Sequence, residues 1–341
     1  MKIDFIILWV DGDDPTWQKQ KDTYSNQITG REGSASRYRD VNTLKYVLRA
    51  IEKNCPWYNK IHIITCGHKP EWLNTNHPKI NLITHKEMYF DKSHLPVFNS
   101  SSIEMNLPNL QGISEQFVYL NDDMLIMKKT PINRFFHNNI PVDFLSHGWI
   151  PRNKLFKRIR GMDPWVHSLV NNLNLVNKKL RPLNYDSNYL YHHSYSLKTR
   201  VSNFFLQRIF KRIIWIEHWH HPQPYLMTTL KDVYKAFPED MMVCSRNKFR
   251  SNNDLTQYLY RYWHLAKNEY SPHQYNDGIA INISTEKQLK GVIALIKNND
   301  SINFACFNDS DDISNEEYII IKDLLTDYLD ENFNKPASFE I

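Results

Sequence analysis

The chain reads Leu95-Pro-Val-Phe-Asn-Ser-Ser-Ser-Ile-Glu104, passes through Gly112, and then runs Phe117-Val-Tyr-Leu-Asn-Asp-Asp-Met124. Phe117 to Leu120 are apolar, aromatic or β-branched, which is typical of a buried strand. The strand ends abruptly in Asn121-Asp122-Asp123, and two adjacent carboxylates are costly to desolvate unless a positive group lies beside them. Hard oxygen ligands of this kind suit Mg²⁺ or Mn²⁺. The stretch therefore predicts a strand whose carboxyl end holds a metal ion, or, as the simpler alternative, a solvated acidic turn.

Composition limits the protein to a few classes. The 341 residues are 41% hydrophobic and 23% charged, as in a soluble globular protein with one large domain or a core domain and a second lobe. A net charge of +5 is too small to indicate nucleic acid binding. The 4 cysteines show no framework spacing, which favours a reducing compartment, and the short apolar N-terminal run predicts no secretory signal. We therefore expect a cytoplasmic protein, with peripheral contact at a membrane as an open alternative.

Strands and helices alternate along the first third of the chain. Three further runs predict strands: residues 3–10, 60–65 and 80–84. Between the first two, a segment that opens at Arg37-Tyr-Arg-Asp40 carries the apolar stripe of a helix, and another helix is expected from Ser100 to carry Glu104. Residues 18–36 are polar and predict an irregular excursion. The alternation predicts an α/β fold with a mostly parallel sheet and helices on both faces.

The regular alternation stops after Lys128. We expect an α/β core in two parts, residues 1–128 and 217–341, separated by an inserted helical or irregular lobe at residues 129–216. Within this lobe the segment 203–216 is amphipathic, with four apolar side chains on one face and three basic ones opposite: Phe205, Ile209, Ile213 and Ile216 against Arg208, Lys211 and Arg212. The pattern predicts a helix with one buried face, and docking on a membrane surface is the alternative.

Acidic residues follow three of the predicted strands. Asp11 follows the first strand, the pair Asp122-Asp123 follows the strand quoted above, and Asp309 ends the apolar run 304–308. Because parallel strands place their carboxyl ends on the same edge of a sheet, we expect these acids to lie together at the edge of a single sheet. The hypothesis is a divalent cation held by Asp123, with Asp122 or Asp309 assisting.

Histidines and arginines supply the remaining candidates. His218 and His220 would share a face in extended structure, which suits zinc, but no cysteine or third histidine stands at ligand spacing. A histidine that transfers a proton or contacts phosphate is the preferred interpretation. Arg246 and Arg250 are either solvated or used for bidentate contact with phosphate.

Short blocks in a fixed order resemble the Stealth family of hexose-1-phosphoryl transferases, which includes bacterial capsular polysaccharide phosphotransferases. The matching blocks are Ile3-Asp-Phe-Ile-Ile-Leu-Trp-Val-Asp-Gly-Asp-Asp-Pro15, Arg37-Tyr-Arg-Asp40, Cys55-Pro-Trp57, Pro70-Glu-Trp-Leu73, Leu95 to Ser100, Ile103-Glu104, Tyr119 to Asp123, His220-His-Pro222, Phe237-Pro-Glu239, Lys248-Phe-Arg250, Cys306-Phe-Asn-Asp309 and Pro336-Ala-Ser-Phe-Glu340. They cover most of residues 1–124, 217–266 and 303–341.

The resemblance implies a core like the GT-A nucleotide-sugar fold, a divalent metal (Mg²⁺ or Mn²⁺) and a nucleotide-sugar donor. It points to a functional set of five residues: Glu104, Asp123, His220, Arg250 and Asp309. The candidates for donor binding are Asp11, Gly12, Arg39, Asn99 and Ser100. Residues 1–128 are then the first part of a nucleotide-sugar-binding core, and residues 217–341 its second part with the His/Arg and Asn-Asp blocks. The lobe at 129–216 would face the acceptor or the membrane.

The expected reaction moves a sugar-1-phosphate from a UDP-sugar to a hydroxyl of an oligosaccharide or polysaccharide, with release of UMP. The family's histidine block is embedded here in His-Trp-His-His-Pro, so the choice of His220 over His218 and His221 rests on spacing to Phe237 and Arg250. Two rivals are a metal-dependent GT-A glycosyltransferase that releases UDP, and a non-catalytic protein that binds glycans or membranes.

Overall fold

The computed structural model describes residues 1–25, 43–148, 164–180, 186–309 and 313–341. The strands are β1 (Ile3–Leu8), β2 (Ile61–Thr65), β3 (Ile80–Thr84), β4 (Gln116–Asn121), β5 (Met124–Ile126), β6 (Phe136–His137), β7 (Ile140–Asp143), β8 (Gln223–Leu226), β9 (Ser271–Pro272), β10 (Gly278–Ile283) and β11 (Phe304–Asp309). The helices are α1 (Pro15–Ser25), α2 (Thr43–Asn54), α3 (His85–Met88), α4 (Ser100–Glu104), α5 (Pro164–Lys179), α6 (Ser187–Leu190), α7 (Leu197–Phe205), α8 (Met227–Ala236), α9 (Pro238–Ser245), α10 (Tyr258–Lys267), α11 (Glu286–Asn298) and α12 (Asn315–Asn332). A π turn, Leu206–Phe210, follows α7 directly.

The central sheet has five strands in the order β3-β2-β1-β4-β8. The first four are parallel, and β8 is antiparallel to β4. Every residue of β1 is buried, as its nearly continuous apolar sequence predicts for a strand covered on both faces. Leu8 pairs with Asn121, so β1 and β4 end at the same edge of the sheet. The predicted α/β class with a mostly parallel sheet is confirmed.

A second sheet carries the last of the predicted acids. Its order is β10-β11-β5, so Asp309 ends a strand of this sheet, and the expectation of one sheet for all three acids is wrong. The physical reason is that the chain turns at Asp122-Asp123 and continues as β5, which leaves the central sheet and pairs with β11. Because β11 runs antiparallel to β5, Cys306 lies opposite Met124, and the Phe307 N–H donates to the Asp123 carbonyl at 3.4 Å. The carboxyl end of β11 therefore still approaches the carboxyl end of β4.

Two local predictions need correction, and a third lies partly outside the described residues. Part of the segment expected to be irregular forms α1, in which the buried Trp17 packs on Phe98 with ring centroids 5.5 Å apart. The helix expected from Arg37 is described from Thr43 onward as α2, and residues 37–40 lie outside the described residues. Ile209, assigned to a buried face, is 59% exposed, whereas Ile213 and Ile216 are buried.

The inserted lobe is joined to the core by apolar packing. A single cluster takes Ile6 from β1, Leu173 from α5 and Leu259 from α10. Strand β7 of the lobe pairs with β9 from the C-terminal part. Among the described residues, no helix combines the length and apolar character needed to cross a membrane.

Candidate active site

Three side chains from distant parts of the chain meet where β4 gives way to β5. Asp123 lies in the turn between these strands, His220 precedes β8, and Cys306 lies on β11. Their ligand atoms all lie within 4.8 Å of one another. Oδ1 of Asp123 is buried and has no hydrogen-bond partner, which is costly for a carboxylate oxygen unless another group supplies positive charge. The turn therefore presents an unsatisfied carboxylate beside an imidazole.

The local contacts of the three candidate histidines distinguish them. His218 bonds through Nε2 to the Tyr262 hydroxyl, and its ring packs against aromatic side chains such as Tyr258. His221 is buried, and its Nδ1–H donates to the Pro222 carbonyl at 2.9 Å. Burial, with a smaller effect of Arg134, lowers the pKa of His221 to about 4. His220 is partly exposed and is the histidine that reaches Asp123.

The fold brings a cysteine to His220 that the spacing of residues in the sequence did not reveal. Ligand spacing in the sequence offered no cysteine, but the fold brings Cys306 to His220 from 86 residues away in the chain. Burial, together with Asp123 and Asp122 nearby, raises the pKa of the Cys306 thiol well above its ordinary value. A neutral thiol is a poor ligand, because the thiolate is the form that binds metals. The signal that could have found Cys306 is its position in the same block as Asp309.

The donor set fits a divalent cation. The unpartnered Oδ1 of Asp123 is the kind of oxygen that Mg²⁺ or Mn²⁺ prefers, and the neighbouring Asp122 adds a second negative charge. An imidazole as further ligand favours Mn²⁺ or a softer ion. Asp309 lies three residues after Cys306 at the end of β11, and its side chain lies outside the described part of the chain. Asp123 is thus the residue that would hold the ion.

A second group forms around the C-terminal end of α4. Glu104 accepts hydrogen bonds from the Tyr119 hydroxyl at 3.0 Å and from the Gln257 N–H at 2.7 Å. Burial raises the pKa of Glu104 to about 7, while the positive charge of Arg250 opposes the rise. Nη2 of Arg250 donates to the Ser100 hydroxyl at 3.4 Å, and the guanidinium is partly exposed. Arg250, Ser100 and Glu104 therefore lie together, and the charge of Arg250 acts on the buried Glu104 carboxyl.

Asn99 holds this group in place and is not itself available to a ligand. Its Oδ1 accepts the Ser101 N–H at 3.1 Å and caps α4, while Nδ2 donates to Asp254 Oδ2 at 3.0 Å and to the Phe249 carbonyl at 3.2 Å. The side chain is 1% exposed. Asn99 thus joins α4 to the loop that carries Arg250. Asp254, which sequence reasoning missed, accepts the hydrogen bond from Asn99 on the side of this loop. Burial raises the pKa of the Asp254 carboxyl.

The loop after β1 forms a third group at the same edge of the sheet. Oδ1 of Asp11 accepts the Asp13 N–H at 3.0 Å, and the Gly12 carbonyl accepts from Gln18 Nε2 at 2.7 Å. The Asp11 N–H donates to Nδ1 of His68 at 2.8 Å. Asp14 accepts the Thr16 N–H at 2.8 Å and so caps the N-terminus of α1. Arg39, the other donor-binding candidate near this end of the chain, lies outside the described residues.

His68 was missed by sequence reasoning, although a positional signal exists. It stands three residues after the end of β2, as Asp11 stands three residues after the end of β1. Because β1 and β2 are parallel neighbours, equal offsets place the two side chains in adjacent loops. The Nε2 atom of His68 pairs with Asp14 at 3.0 Å.

A cavity of about 300 Å³ opens beside His220. One wall is the segment His218-Trp219-His220-His221, and the other consists of Asn276, Gly278 and Ala280 at the start of β10. The indole of Trp219 packs on Phe144 with ring centroids 4.6 Å apart and stays partly exposed. Among the described residues, the cavity wall combines three histidines and Asn276 with the indole of Trp219, and it includes no lysine or arginine.

The buried carboxyl of Glu104 predicts a specific dependence of stability on pH. The unfolded chain releases this proton near the ordinary value of 4.5, whereas the folded protein keeps it up to about 7. The folded state therefore binds more protons between these values, and the free energy of unfolding should fall as pH rises through this window. The loss attributable to Glu104 is about 3 kcal/mol. Urea unfolding at both ends of the window measures it.

Glu104→Gln is the matched variant for this experiment. A glutamine can accept the Gln257 N–H through Oε1 and donate through Nε2 to the Tyr119 hydroxyl, whose own proton can turn to Asn121 Oδ1, 3.2 Å away. The variant should therefore lack this pH dependence while it keeps the fold. Equal slopes of stability against pH in both proteins would contradict the account of Glu104.

Two protein-family models match the N-terminal part of the chain. The family model Stealth protein CR1, conserved region 1, matches residues 1–29, and Stealth protein CR2, conserved region 2, matches residues 37–143. A receptor polysaccharide phosphotransferase, WefC of Streptococcus gordonii, is 29% identical over 100% of this chain and 99% of its own length. Among solved structures, the galactosyltransferase LgtC in complex with donor and acceptor sugar analogues aligns with 96% of this chain and 95% of its own, at 8% identity and a TM-score of 0.41. This structural likeness is too low to support a conclusion about function.

A further relative matches over almost the whole chain. The capsular polysaccharide phosphotransferase WcwK of Streptococcus pneumoniae is 32% identical over 99% of this chain and 98% of its own length. A match of this length extends over both parts of the core and the inserted lobe. With both conserved-region models matching in order, this chain belongs to the Stealth family and is a transferase enzyme.

Proposed function

We propose that this enzyme transfers a sugar-1-phosphate from a UDP-sugar to a hydroxyl group of a growing polysaccharide. The acceptor oxygen attacks the phosphorus next to the sugar, the phosphoanhydride bond breaks, and its electron pair leaves with UMP. The product is a phosphodiester, and the proton of the acceptor hydroxyl passes to a base. The observation that carries the proposal is the unpartnered carboxylate oxygen of Asp123 beside His220, in a family whose relatives are named polysaccharide phosphotransferases.

Asp123 would hold a divalent ion, with Asp122 or Asp309 assisting. When bound, such an ion neutralises the negative charge of a diphosphate. Oδ1 of Asp123 is buried without a hydrogen-bond partner, so a cation can bind this oxygen without breaking a hydrogen bond to it. The loop of Asp11 and Gly12 lies at the same edge of the sheet, where nucleotides bind in open α/β sheets. We place the UDP moiety there, with Arg39 as a further candidate contact.

Arg250 is the cation that we assign to the transferred phosphate. Its guanidinium is partly exposed and rests on the Ser100 hydroxyl, so its other N–H groups remain available to phosphate oxygens. Glu104 lies beneath it, holds α4 to Tyr119 and Gln257, and would orient the donor sugar through the position of Arg250. Phosphoryl transfer depends mainly on such positioning and on electrostatic stabilisation.

His220 is the residue that we assign to the acceptor side. It adjoins both Asp123 and the cavity, so it stands between the cation site and a space for substrate. A neutral imidazole there would accept the proton of the acceptor hydroxyl, and an imidazolium would stabilise charge on the phosphate. Both roles require the same position, and a pH profile of the reaction distinguishes them.

The nearest rival is a glycosyltransferase that uses the same donor and cation but attacks the anomeric carbon of the sugar. The names of the relatives favour attack at phosphorus. A non-catalytic glycan-binding protein is disfavoured, because it would give no reason to keep Asp123 Oδ1 buried and unpaired. Incubation with a panel of UDP-sugars and short oligosaccharides, followed by ³¹P NMR of the glycan, tests the proposal. A phosphodiester signal is expected.

We assign the cavity beside His220 to the acceptor sugar. Its residues come from the histidine segment and from β10, and none comes from the loops of Asp11 or Arg250. The described residues of its wall include no lysine or arginine, which suits a neutral sugar ring better than a diphosphate, and aromatic rings such as Trp219 commonly pack against sugars. A volume of about 300 Å³ is at the lower end for ligand pockets, which fits one sugar unit.

A larger side chain in this cavity should weaken binding of the acceptor and leave binding of the donor unchanged. Ala280 is exposed on β10, so Ala280→Leu adds bulk to the cavity wall without entering the core. We expect the KM for the oligosaccharide to rise roughly tenfold or more, with the KM for the UDP-sugar unchanged. Asn282→Leu is the matched control, since Asn282 is exposed two residues further along the same strand face and does not line the cavity. Equal kinetics for both variants would contradict the assignment.

Peripheral contact with the membrane is the remaining part of the proposed function.

A further inference from the structure

The outer side of the inserted lobe exposes five large apolar side chains within fourteen residues. We call them the α7 surface: Leu197 is 77% exposed, Val201 44%, Phe204 48%, Ile209 59% and Phe210 37%. The first three follow the i, i+4, i+7 spacing of one helix face. The last two lie on the π turn that continues α7. Exposed apolar side chains concentrated in one segment in this way indicate an interaction site, whereas single exposed apolar residues are ordinary.

The opposite side of α7 is fixed to the protein. Asn203 is fully buried, and its Nδ2 donates to the carbonyls of Leu145 at 2.7 Å and Leu190 at 2.9 Å. Leu206 is buried in the large apolar cluster. Ser196 caps the helix by accepting the Thr199 N–H at 3.1 Å. The helix therefore cannot turn its exposed apolar face inward without breaking these bonds.

Positive charge is concentrated in the same segment. Residues 197–213 read LKTRVSNFFLQRIFKRI, with five basic residues and no acidic residue. Their charge of +5 equals the net charge of the whole chain, so the remaining residues sum to zero. Arg208, Lys211 and Arg212 are exposed next to Ile209 and Phe210. The segment thus combines an apolar surface with a basic border.

The apolar surface and its basic border together indicate what the segment binds. Apolar side chains that enter the boundary between head groups and acyl chains, bordered by lysine and arginine, are typical of helices that lie in the plane of a membrane. Basic side chains then interact with anionic lipid head groups. Nucleic acid would account for the charge and not for five exposed apolar groups. We propose that the α7 surface docks the protein on a membrane that contains anionic lipids.

Sedimentation with vesicles tests this proposal without donor or acceptor, so its outcome is independent of the proposed reaction. The full-length protein is mixed with vesicles of phosphatidylcholine, or of phosphatidylcholine with phosphatidylglycerol. We expect binding to the second kind, weakened by added salt. Phe204→Ser with Ile209→Ser should reduce the partition roughly tenfold or more, and Lys211→Glu with Arg212→Glu should do the same. All four side chains are exposed, so the variants should keep the melting temperature of the parent.

Ile319 and Ile320 on α12 provide the matched control. They are 58% and 44% exposed, close to Ile209 and Phe204, but acidic residues such as Glu316 and Glu317 stand near them. Ile319→Ser with Ile320→Ser should leave vesicle binding unchanged. The proposal is overturned if the parent protein ignores anionic vesicles or binds neutral ones equally well. It is also overturned if the α7 variants bind like the parent, or if they abolish a dimer seen by ultracentrifugation and leave vesicle binding intact.

Discussion

Replacing Asp123 by asparagine is expected to abolish transfer while leaving thermal unfolding nearly unchanged. Asparagine keeps the shape of the side chain, and no hydrogen bond to Oδ1 is lost, because this atom has none. The substitution removes the negative charge that would bind the cation. Since such an ion contributes several kcal/mol of charge stabilisation, we expect the rate to fall roughly 10³-fold or more. Initial rates of phosphodiester formation, with and without EDTA, measure the effect.

Binding of the cation can be measured independently of enzyme activity. Calorimetric titration with Mn²⁺ should show binding to the parent protein and its loss in Asp123→Asn. Cys306→Ser is the matched control in the same group, because the hydroxyl can replace the thiol as donor to Asn308 Oδ1, 3.3 Å away. If the neutral thiol is no ligand, this variant should still bind the ion. Full activity of Asp123→Asn, or of the parent in EDTA, would contradict the cation site.

Arg250→Lys is the second change for which we expect a large effect. Lysine keeps the charge but loses the planar fork that contacts two oxygens of one phosphate. We expect kcat/KM to fall roughly 10²-fold or more, as after loss of a donor that stabilises the transition state. Arg246→Lys is the control on the same loop. Arg246 is exposed, its Nε faces His94 Nε2 at 3.3 Å, and its replacement should change kcat/KM far less.

A structural role of Arg250 would give a different pattern. The guanidinium makes one long hydrogen bond to Ser100 and lies near the buried acids Glu104 and Asp254, so its loss could in principle loosen the joint between α4 and this loop. In that case Arg250→Lys, which keeps the charge, would retain activity, or the melting temperature would fall together with the rate. Our account requires a lower rate at an unchanged melting temperature.

Sequence reasoning succeeded where a local pattern determines the structure. The apolar runs before Asp11 and Asp122 form neighbouring parallel strands, and Asn99 begins the short helix that carries Glu104, as expected. Both features depend on side chains within a few residues of the element itself. The burial of β1 and the cap of α4 follow from the amino acids present.

Sequence reasoning failed where the structure depends on pairing between segments that are far apart in the chain. Nothing near Asp309 indicates that β11 joins β5 in a second sheet, because that choice depends on how the chain turns after Asp123. Strand β10 and α11 were also missed, although Ile279, Ile281 and Ile283 alternate along β10 as in a strand. Asp254 became visible as a partner only when the fold brought its loop to Asn99, whereas Cys306 and His68 had positional signals in the sequence that were overlooked.

The exposure of Ile209 was mispredicted for a related reason. A regular helix through residues 203–216 would place Ile209 with Ile213 on one face, but the π turn Leu206–Phe210 and the left-handed residue Lys211 change the phase. Ile209 therefore faces outward, 59% exposed, while Ile213 is buried. A hydrophobic pattern predicts which side chains share a face only as long as the helix stays regular.

The identity of the released nucleotide tests the central claim most directly. Purified protein is incubated with the UDP-sugar and acceptor that react, and the nucleotide products are separated by chromatography. Cleavage of the phosphoanhydride predicts UMP as the acceptor-dependent product, one phosphorus per transferred sugar in the glycan, and retention of the donor's anomeric configuration, since no bond to the anomeric carbon breaks. Release of UDP, with a glycan free of phosphorus, would contradict the account and identify a glycosyltransferase.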